Sequence, residues 1–326
     1  MIENNKDIIL SAKHVKKYFP IKGFFGKIVG NVKAVDDVSL DLYRGETYGL
    51  VGETGCGKST LGRTLIRLLD ATEGTINIEG QDISKITTGE MRKMRQKVQM
   101  IFQDPYTSLN PRMRIGDILN EILIIEKIGK RSERMDIVIE MLRKVGLRIE
   151  HYYRFPHELS GGQRQRVGVA RSIILNPDLI VCDEPVSALD VSVRSQIINL
   201  LLDLQQALDL TYMFISHDMS VIRYTSRRTG VMYLGHLVEE AITDELFNNP
   251  KHPYTQVLLT AVPSPNPHTK KKRIVLQGDL PSPINPPPGC VFHTRCPIAV
   301  DLCKNVCPEM KEINSMHKVA CHLVNN

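Results

Sequence analysis

Residues Gly52 to Thr60 read GETGCGKST, after the apolar run TYGLVG and before the helical pattern LGRTLIRLL. A Gly-x4-Gly-Lys-Ser loop between a strand and a helix is built to hold phosphate. Small residues at Gly52, Gly55 and Gly57 let backbone N–H groups close on phosphate oxygens, and the helix N-terminus adds positive potential. Lys58 would hold the β- and γ-phosphates and Ser59 would ligate Mg²⁺, while Glu53, Thr54, Cys56 and Thr60 complete the nucleotide-binding segment. Cys56 reads as a small filler, not as a nucleophile.

A metal at Ser59 needs a second half-site, and LIVCDEP supplies it. Asp183 ends an apolar strand and would bind Mg²⁺ through its shell; Glu184, next in the chain, is placed to polarise an attacking water. Between the two motifs lies LSGGQRQRV, Leu159 to Val167. Ser160 reads as an N-cap, and the two glycines leave the next helix's backbone bare, which makes a second anion-binding helix terminus.

With these residues in order, the chain resembles the ATP-binding subunits of ABC transporters, whose signature is LSGGQ. The resemblance covers roughly residues 8 to 260 and implies a P-loop NTPase core of α/β class with an inserted helical subdomain. It makes Gln103, after VQMIF, the Q-loop glutamine, acting in catalysis and at Mg²⁺. It also makes Asp190 of SALD the D-loop aspartate and His217 of FISHD the switch histidine. In that family two domains sandwich two ATP molecules, so Ser160, Gly161, Gly162 and Gln163 would act in trans on the partner's nucleotide. The adenine ring needs an aromatic face. HVKKYFP offers Tyr18 and Phe19, and the spacing favours Phe19.

Several elements must position these groups. Up to about residue 260, short β-branched runs alternate with longer helical patterns, which predicts a mostly parallel sheet covered by helices. Strands are expected at TYGLVG, KVQMIF, LIVCDE and TYMFIS. From about 104 to 176 only helical periodicity is visible, in IGDILNEILIIEKI and RMDIVIEMLRKVG, and this marks the inserted subdomain.

The 326 residues are 42% hydrophobic and 24% charged, a balance that excludes a disordered chain or a fibre. Net charge +6 is too weak an excess to argue for nucleic acid. No run approaches the roughly 18 apolar residues of a spanning helix, and MIENNKDIIL lacks a signal-peptide pattern. A soluble, cytosolic chain is expected, bound peripherally to the cytoplasmic face of the cell membrane by its partners.

Beyond residue 260 the composition changes. Ten of the 18 prolines lie from Pro263 onward, and KKKR at Lys270 to Arg273 reads as a solvated linker, so a separate module is expected over 261–326. NNPKHPYTQVLLTAVPSPNP, with His252, Pro253 and Tyr254, is similar to the C-terminal extension of oligopeptide and dipeptide importer ATPases. The stretch IKGFFGKIVGNVKAVDDVSL points to their second ATPase subunit, the OppF or DppF type. That resemblance implies a sister ATPase, two membrane permeases and an external peptide-binding protein. The same machine importing nickel, glutathione or another small solute is the runner-up. A soluble ABC ATPase acting on nucleic acid or ribosomes would need a second core or a long insertion, and neither is present.

Five of seven cysteines crowd the last 37 residues. Disulfides are disfavoured in a cytosolic chain, so metal ligation leads, with Zn²⁺ and [4Fe–4S] both open on spacing. Family members can carry an iron–sulfur cluster here, and the family pattern selects Cys290, Cys296, Cys303 and Cys321, with Cys307 departing from it.

Overall fold

The computed structural model describes residues 7–23, 26–104, 109–260 and 280–324. Phe24 and Phe25, the PSPNP stretch and the Lys270 to Arg273 run lie outside them. The described residues form two compact units, one from Met1–Ile86 and Phe214–Asn326, the other from Thr87–Met213.

In the first unit, two long strands, Ile8–Lys22 and Ile28–Tyr43, pair antiparallel from Ile8↔Tyr43 to Lys22↔Ile28. Glu73–Ile78 and Gln81–Asp82 extend the sheet, again antiparallel. This sheet departs from the mostly parallel arrangement expected from the alternation of runs. The reason lies in sequences such as VSLDLY, where Val38, Leu40 and Leu42 are buried and polar residues intervene. Such alternation suits an antiparallel sheet with one wet face.

The same unit contains the strand that leads into the phosphate loop. Thr47–Val51 is buried throughout and pairs parallel with Arg228–Tyr233. Arg228–Tyr233 pairs antiparallel with His236–Ile242, which in turn takes His317–Val319 as its neighbour through Glu239↔Val319 and Glu240↔Lys318. Lys311–Asn314 then forms the edge. The last hairpin of the chain therefore adds to the strands that carry the phosphate loop.

One buried charge cluster pins these strands. The Arg228 guanidinium, 3% exposed, bonds Glu46 at 3.0 and 3.2 Å and Glu240 at 3.2 Å, and the Tyr48 hydroxyl donates to Glu240 at 2.9 Å. Buried charges persist only when matched in this way.

In the second unit, Val98–Ile101 pairs parallel with the wholly buried strand Leu179–Asp183. The helices Thr88–Lys97, Ile115–Ile125, Arg131–Lys144, Gly161–Ile173 and Val191–Leu208 accompany them. Lys97 closes a helix instead of opening the strand: the Val98 N–H still bonds the Met94 carbonyl, so the helix runs up to the strand's first residue. Among the described residues no helix is long and apolar enough to cross a membrane.

Candidate nucleotide site

The strand Thr47–Val51 delivers the chain into the loop, and the helix Lys58–Leu65 starts at the lysine itself. Gly57 precedes it with φ 106°, and a Cβ there would lie 2.0 Å from the Ala34 carbonyl oxygen. Only glycine fits this turn. Lys58 is buried, and its ammonium donates to the Gly52 and Glu53 carbonyls at 2.8 and 2.9 Å. It is folded over the same loop whose N–H groups would cradle a phosphate. Cys56 is 1% exposed, and burial pushes its thiol up, so it stays protonated and fills space. Thr54 and Gly55 are exposed; Glu53, Ser59 and Thr60 are half-buried.

Tyr18 and Phe19 stand on the strand Ile8–Lys22 of this unit and differ in their freedom. The Tyr18 hydroxyl donates to the Asp36 carboxylate, while the Phe19 ring is 37% exposed with Lys17 Nζ 5.0 Å from its centroid. His217 follows the strand Thr211–Ile215 and is exposed; Asp218 beside it caps the next helix by accepting from Ser220 N at 2.9 Å.

Gln103, Ser160 to Gln163, Asp183, Glu184 and Asp190 belong to the second unit. Asp183 is fully buried at the end of its strand. Glu184 turns away from the strand with φ 47°, a left-handed backbone rarely taken by a glutamate and common where function demands it. Gln103 Nε2 donates to Glu184 Oε2 at 3.0 Å. Gln103 also shares a cavity of about 90 Å³ with Gly161, Arg164 and Leu189.

Ser160 Oγ accepts from Gln163 N at 3.3 Å, and Gln163 Oε1 accepts from Ser160 N at 3.0 Å. This capping box fixes the start of the helix Gly161–Ile173 and leaves Ser160 exposed, with Gly161 and Gly162 half-buried. Asp190 is exposed at the N-cap of Val191–Leu208 and makes no side-chain cap bond.

The HPY residues are a helix start. Tyr254 N donates to His252 Nδ1 at 3.1 Å, and Pro253 opens the helix Pro253–Thr260, where its missing N–H costs nothing. Glu239, fully buried, accepts from His252 N at 3.0 Å, Lys251 N at 2.7 Å and His317 Nε2 at 2.8 Å. One carboxylate thus binds the HPY turn and the final hairpin to the strand His236–Ile242.

The cysteines divide. Burial pushes the Cys290 thiol up to about 11, and Cys303, Cys321 and Cys296 add to the shift. Cys307 is exposed at its surface; partial burial still pushes its thiol up, and Asp36 and Asp37 add to the shift. Cys290 N donates to the Cys303 carbonyl at 2.8 Å. Among the described residues no group of three or more His, Cys, Asp or Glu side chains could hold a metal ion, so neither the Zn²⁺ reading nor the [4Fe–4S] reading of the tail has a formed ligand cage behind it. Sequence reasoning missed Arg295, which bonds Glu53 of the phosphate loop at 3.0 and 3.2 Å. Its only linear signal is a basic residue beside Cys296.

Comparison with known proteins identifies the family. Residues 35–187 match the ABC transporter family model, and 238–303 match the model of the oligopeptide/dipeptide transporter C-terminal region. The chain is 54% identical to the oligopeptide transport ATP-binding protein AppF of Bacillus subtilis, over 99% of each chain. It is 49% identical to the dipeptide transport ATP-binding protein DppF of Escherichia coli, over 97% of this chain and 94% of that one. A dimeric ATP-binding cassette, MJ0796, solved in a post-hydrolysis state with ADP and Pi, superposes with a TM-score of 0.65 at 28% identity, covering 72% of this chain and 98% of its own. The chain is an ABC ATPase with the P-loop NTPase fold, and it belongs to the ABC transporter ATP-binding proteins that carry the oligopeptide/dipeptide transporter C-terminal region.

Proposed function

We propose that this ATPase powers import of oligopeptides or dipeptides from the cytoplasmic face of the cell membrane. The observation that carries the reading is the likeness to a named oligopeptide transport ATP-binding protein over 99% of both chains, the C-terminal region included. Its partners in this proposal are a sister ATPase subunit forming a heterodimer, two membrane permeases and an external peptide-binding protein. Residues 1–260 form the ATPase domain, with the helical subdomain at about 104–176, and 261–326 form the extension.

In the catalytic cycle, Gly52 to Thr60 receive the phosphates and Phe19 stacks on adenine; its open ring supports that choice over Tyr18, whose hydroxyl is tied. Ser59, Gln103 and Asp183 are the residues that would hold Mg²⁺, which would offset the charge of the phosphates. Glu184 polarises the attacking water and His217 steadies the γ-phosphate. Ser160 to Gln163 and Asp190, exposed or half-buried at two helix starts, act on the partner's nucleotide. ATP binding closes the dimer, hydrolysis reopens it, and the permeases convert that motion.

The extension's Cys290, Cys296, Cys303 and Cys321 are proposed as [4Fe–4S] ligands. The family pattern is what supports this set; the described residues form no ligand cage for it. A bound cluster would supply a crosslink to a segment poor in apolar residues. Iron and sulfide absent from anaerobically purified chain, with no broad visible absorbance, would remove the cluster.

Transport decides the main reading. The complex co-purified with its permeases and reconstituted in vesicles should take up labelled di- or oligopeptide only with ATP, and unlabelled peptide should compete. Uptake of nickel or glutathione in place of peptide would overturn it.

A further inference from the structure

Glu53 is the one acidic side chain within the phosphate loop, and residues from the far end of the sequence hold it at two points. Its backbone N–H donates to the Tyr254 hydroxyl at 2.9 Å. Its carboxylate accepts from Arg295 Nη1 at 3.0 Å on one oxygen and 3.2 Å on the other.

Neither partner is loosely placed. Tyr254 is fully buried, and its ring packs against Tyr233 and Phe292 at centroid distances of 4.7 and 5.4 Å. Its helix is fixed one residue earlier by the Pro253 start and the His252 cap. Arg295 sits in the turn after Phe292, where its backbone N–H donates to the Phe292 carbonyl at 3.0 Å, and its side chain is only 10% exposed. Nη1 also lies 3.5 Å from the Tyr233 hydroxyl. The aromatic cluster therefore carries both contacts.

The chemistry of the loop gives this clamp a purpose. A carboxylate in a loop that must admit a polyphosphate opposes the incoming charge, and at low local dielectric the opposition is strong. A guanidinium on that half-buried carboxylate offsets its charge through a charge-assisted hydrogen bond. Fixing the backbone at Glu53 also sets the entry to the loop before nucleotide arrives, which lowers the cost of ordering it.

We propose that Arg295 and Tyr254 are positioning residues for ATP: together they clamp Glu53, Arg295 screening its carboxylate from the triphosphate and Tyr254 fixing its backbone. Neither residue touches the reacting atoms. Because Arg295 directly precedes Cys296, the fold of the cysteine segment sets the guanidinium, and the extension acts on nucleotide affinity as well as on anchoring. The proposal rests on the nucleotide reading of the loop.

Calorimetric titration of the full-length chain with Mg·ATP, paired with melting temperatures, tests it. Arg295→Gln should weaken ATP binding about tenfold, the size of a lost charge-assisted hydrogen bond. Glu53→Gln/Arg295→Gln should regain most of that affinity, because no carboxylate remains to be screened, and Arg295→Lys should regain part of it. Tyr254→Phe, which keeps the ring, should weaken binding about threefold. In the assembled transporter Arg295→Gln and Tyr254→Phe should raise KM for ATP with kcat held.

If Arg295→Gln binds ATP within about twofold of wild type, the clamp is overturned. It is equally overturned if the double variant stays as weak as Arg295→Gln at a wild-type melting temperature, since Arg295 is then a brace only. Should Arg295→Gln fail to fold, Glu53→Gln alone carries the test: binding at least as tight as wild type supports the clamp, and weaker binding overturns it. Wild-type chain that does not bind ATP would instead overturn the nucleotide reading.

Discussion

The Gln103 carboxamide donates to the Glu184 carboxylate at 3.0 Å, so the residue assigned to polarise water is held by the residue assigned to reach Mg²⁺. The two are 81 positions apart in sequence, and Glu184 takes a left-handed backbone immediately after the strand that ends at Asp183. A base kept in place by an amide needs less reorganisation at the moment of reaction. We expect Gln103→Ala to lower kcat of the assembled transporter by roughly ten- to a hundredfold, with Mg·ATP affinity of the full-length chain falling by a smaller factor because Ser59 and Asp183 would still hold the metal. ATPase assays and calorimetry separate the two quantities; an unchanged kcat would free Glu184 from this dependence.

The capping box between Ser160 and Gln163 predicts a double effect. Ser160→Ala removes the acceptor for Gln163 N and should cost about 1 kcal/mol of stability. It also takes away a hydroxyl assigned to the partner's nucleotide. Ser160→Asn, which can still cap, should restore the melting temperature while ATP-driven dimerisation stays impaired. Recovery of both together would leave Ser160 as a cap alone.

Acid should destabilise the chain through His252. Burial pushes this imidazole down to about 4 from an ordinary 6.5, with Glu239 offsetting part of the shift. Its Nδ1 already accepts from Tyr254 N, so a proton there would displace that bond. Below pH 6.5 the unfolded chain binds a proton that the folded chain refuses. The stability present above that pH therefore falls as pH drops towards about 4, by up to about 3 kcal/mol. Urea midpoints measured against pH should show this slope, and His252→Asn, which keeps a capping oxygen, should flatten it. An equal slope in that variant would place the acid sensitivity elsewhere.

The Glu239–His317 contact at 2.8 Å predicts how the final hairpin is held. His317→Ala leaves a fully buried carboxylate short of one donor, a loss of about 2–4 kcal/mol. His317→Gln, which can still donate, should lose less. Limited proteolysis should cut His317→Ala first near Lys311–Asn314, and cleavage elsewhere at the wild-type rate would contradict the pin.

The nucleotide loop, the Asp183–Glu184 strand end and the LSGGQ helix start were legible in sequence because each is a local pattern whose chemistry needs neighbours in the chain. The helices Ile115–Ile125 and Arg131–Lys144 were legible for the same reason, as apolar periodicity within one window. The long antiparallel pair Ile8–Lys22 and Ile28–Tyr43 was not, since its polar positions blur the strand signal and its partner is set by register, which no short window contains. Arg295 was invisible for a stronger reason: its meaning lies in a carboxylate 242 positions away. The HPY residues were recognisable as a motif, but their roles as cap, helix opener and loop contact come only from the packing of Tyr254 against Tyr233 and Phe292.

The most direct test of a peptide-importing ATPase is uptake by the reconstituted transporter with Glu184→Gln in this chain. The account predicts that the variant complex still binds Mg·ATP but imports labelled peptide at least about a hundredfold more slowly than wild type, with ATP hydrolysis lost in parallel. Peptide uptake and hydrolysis near the wild-type rate would contradict it.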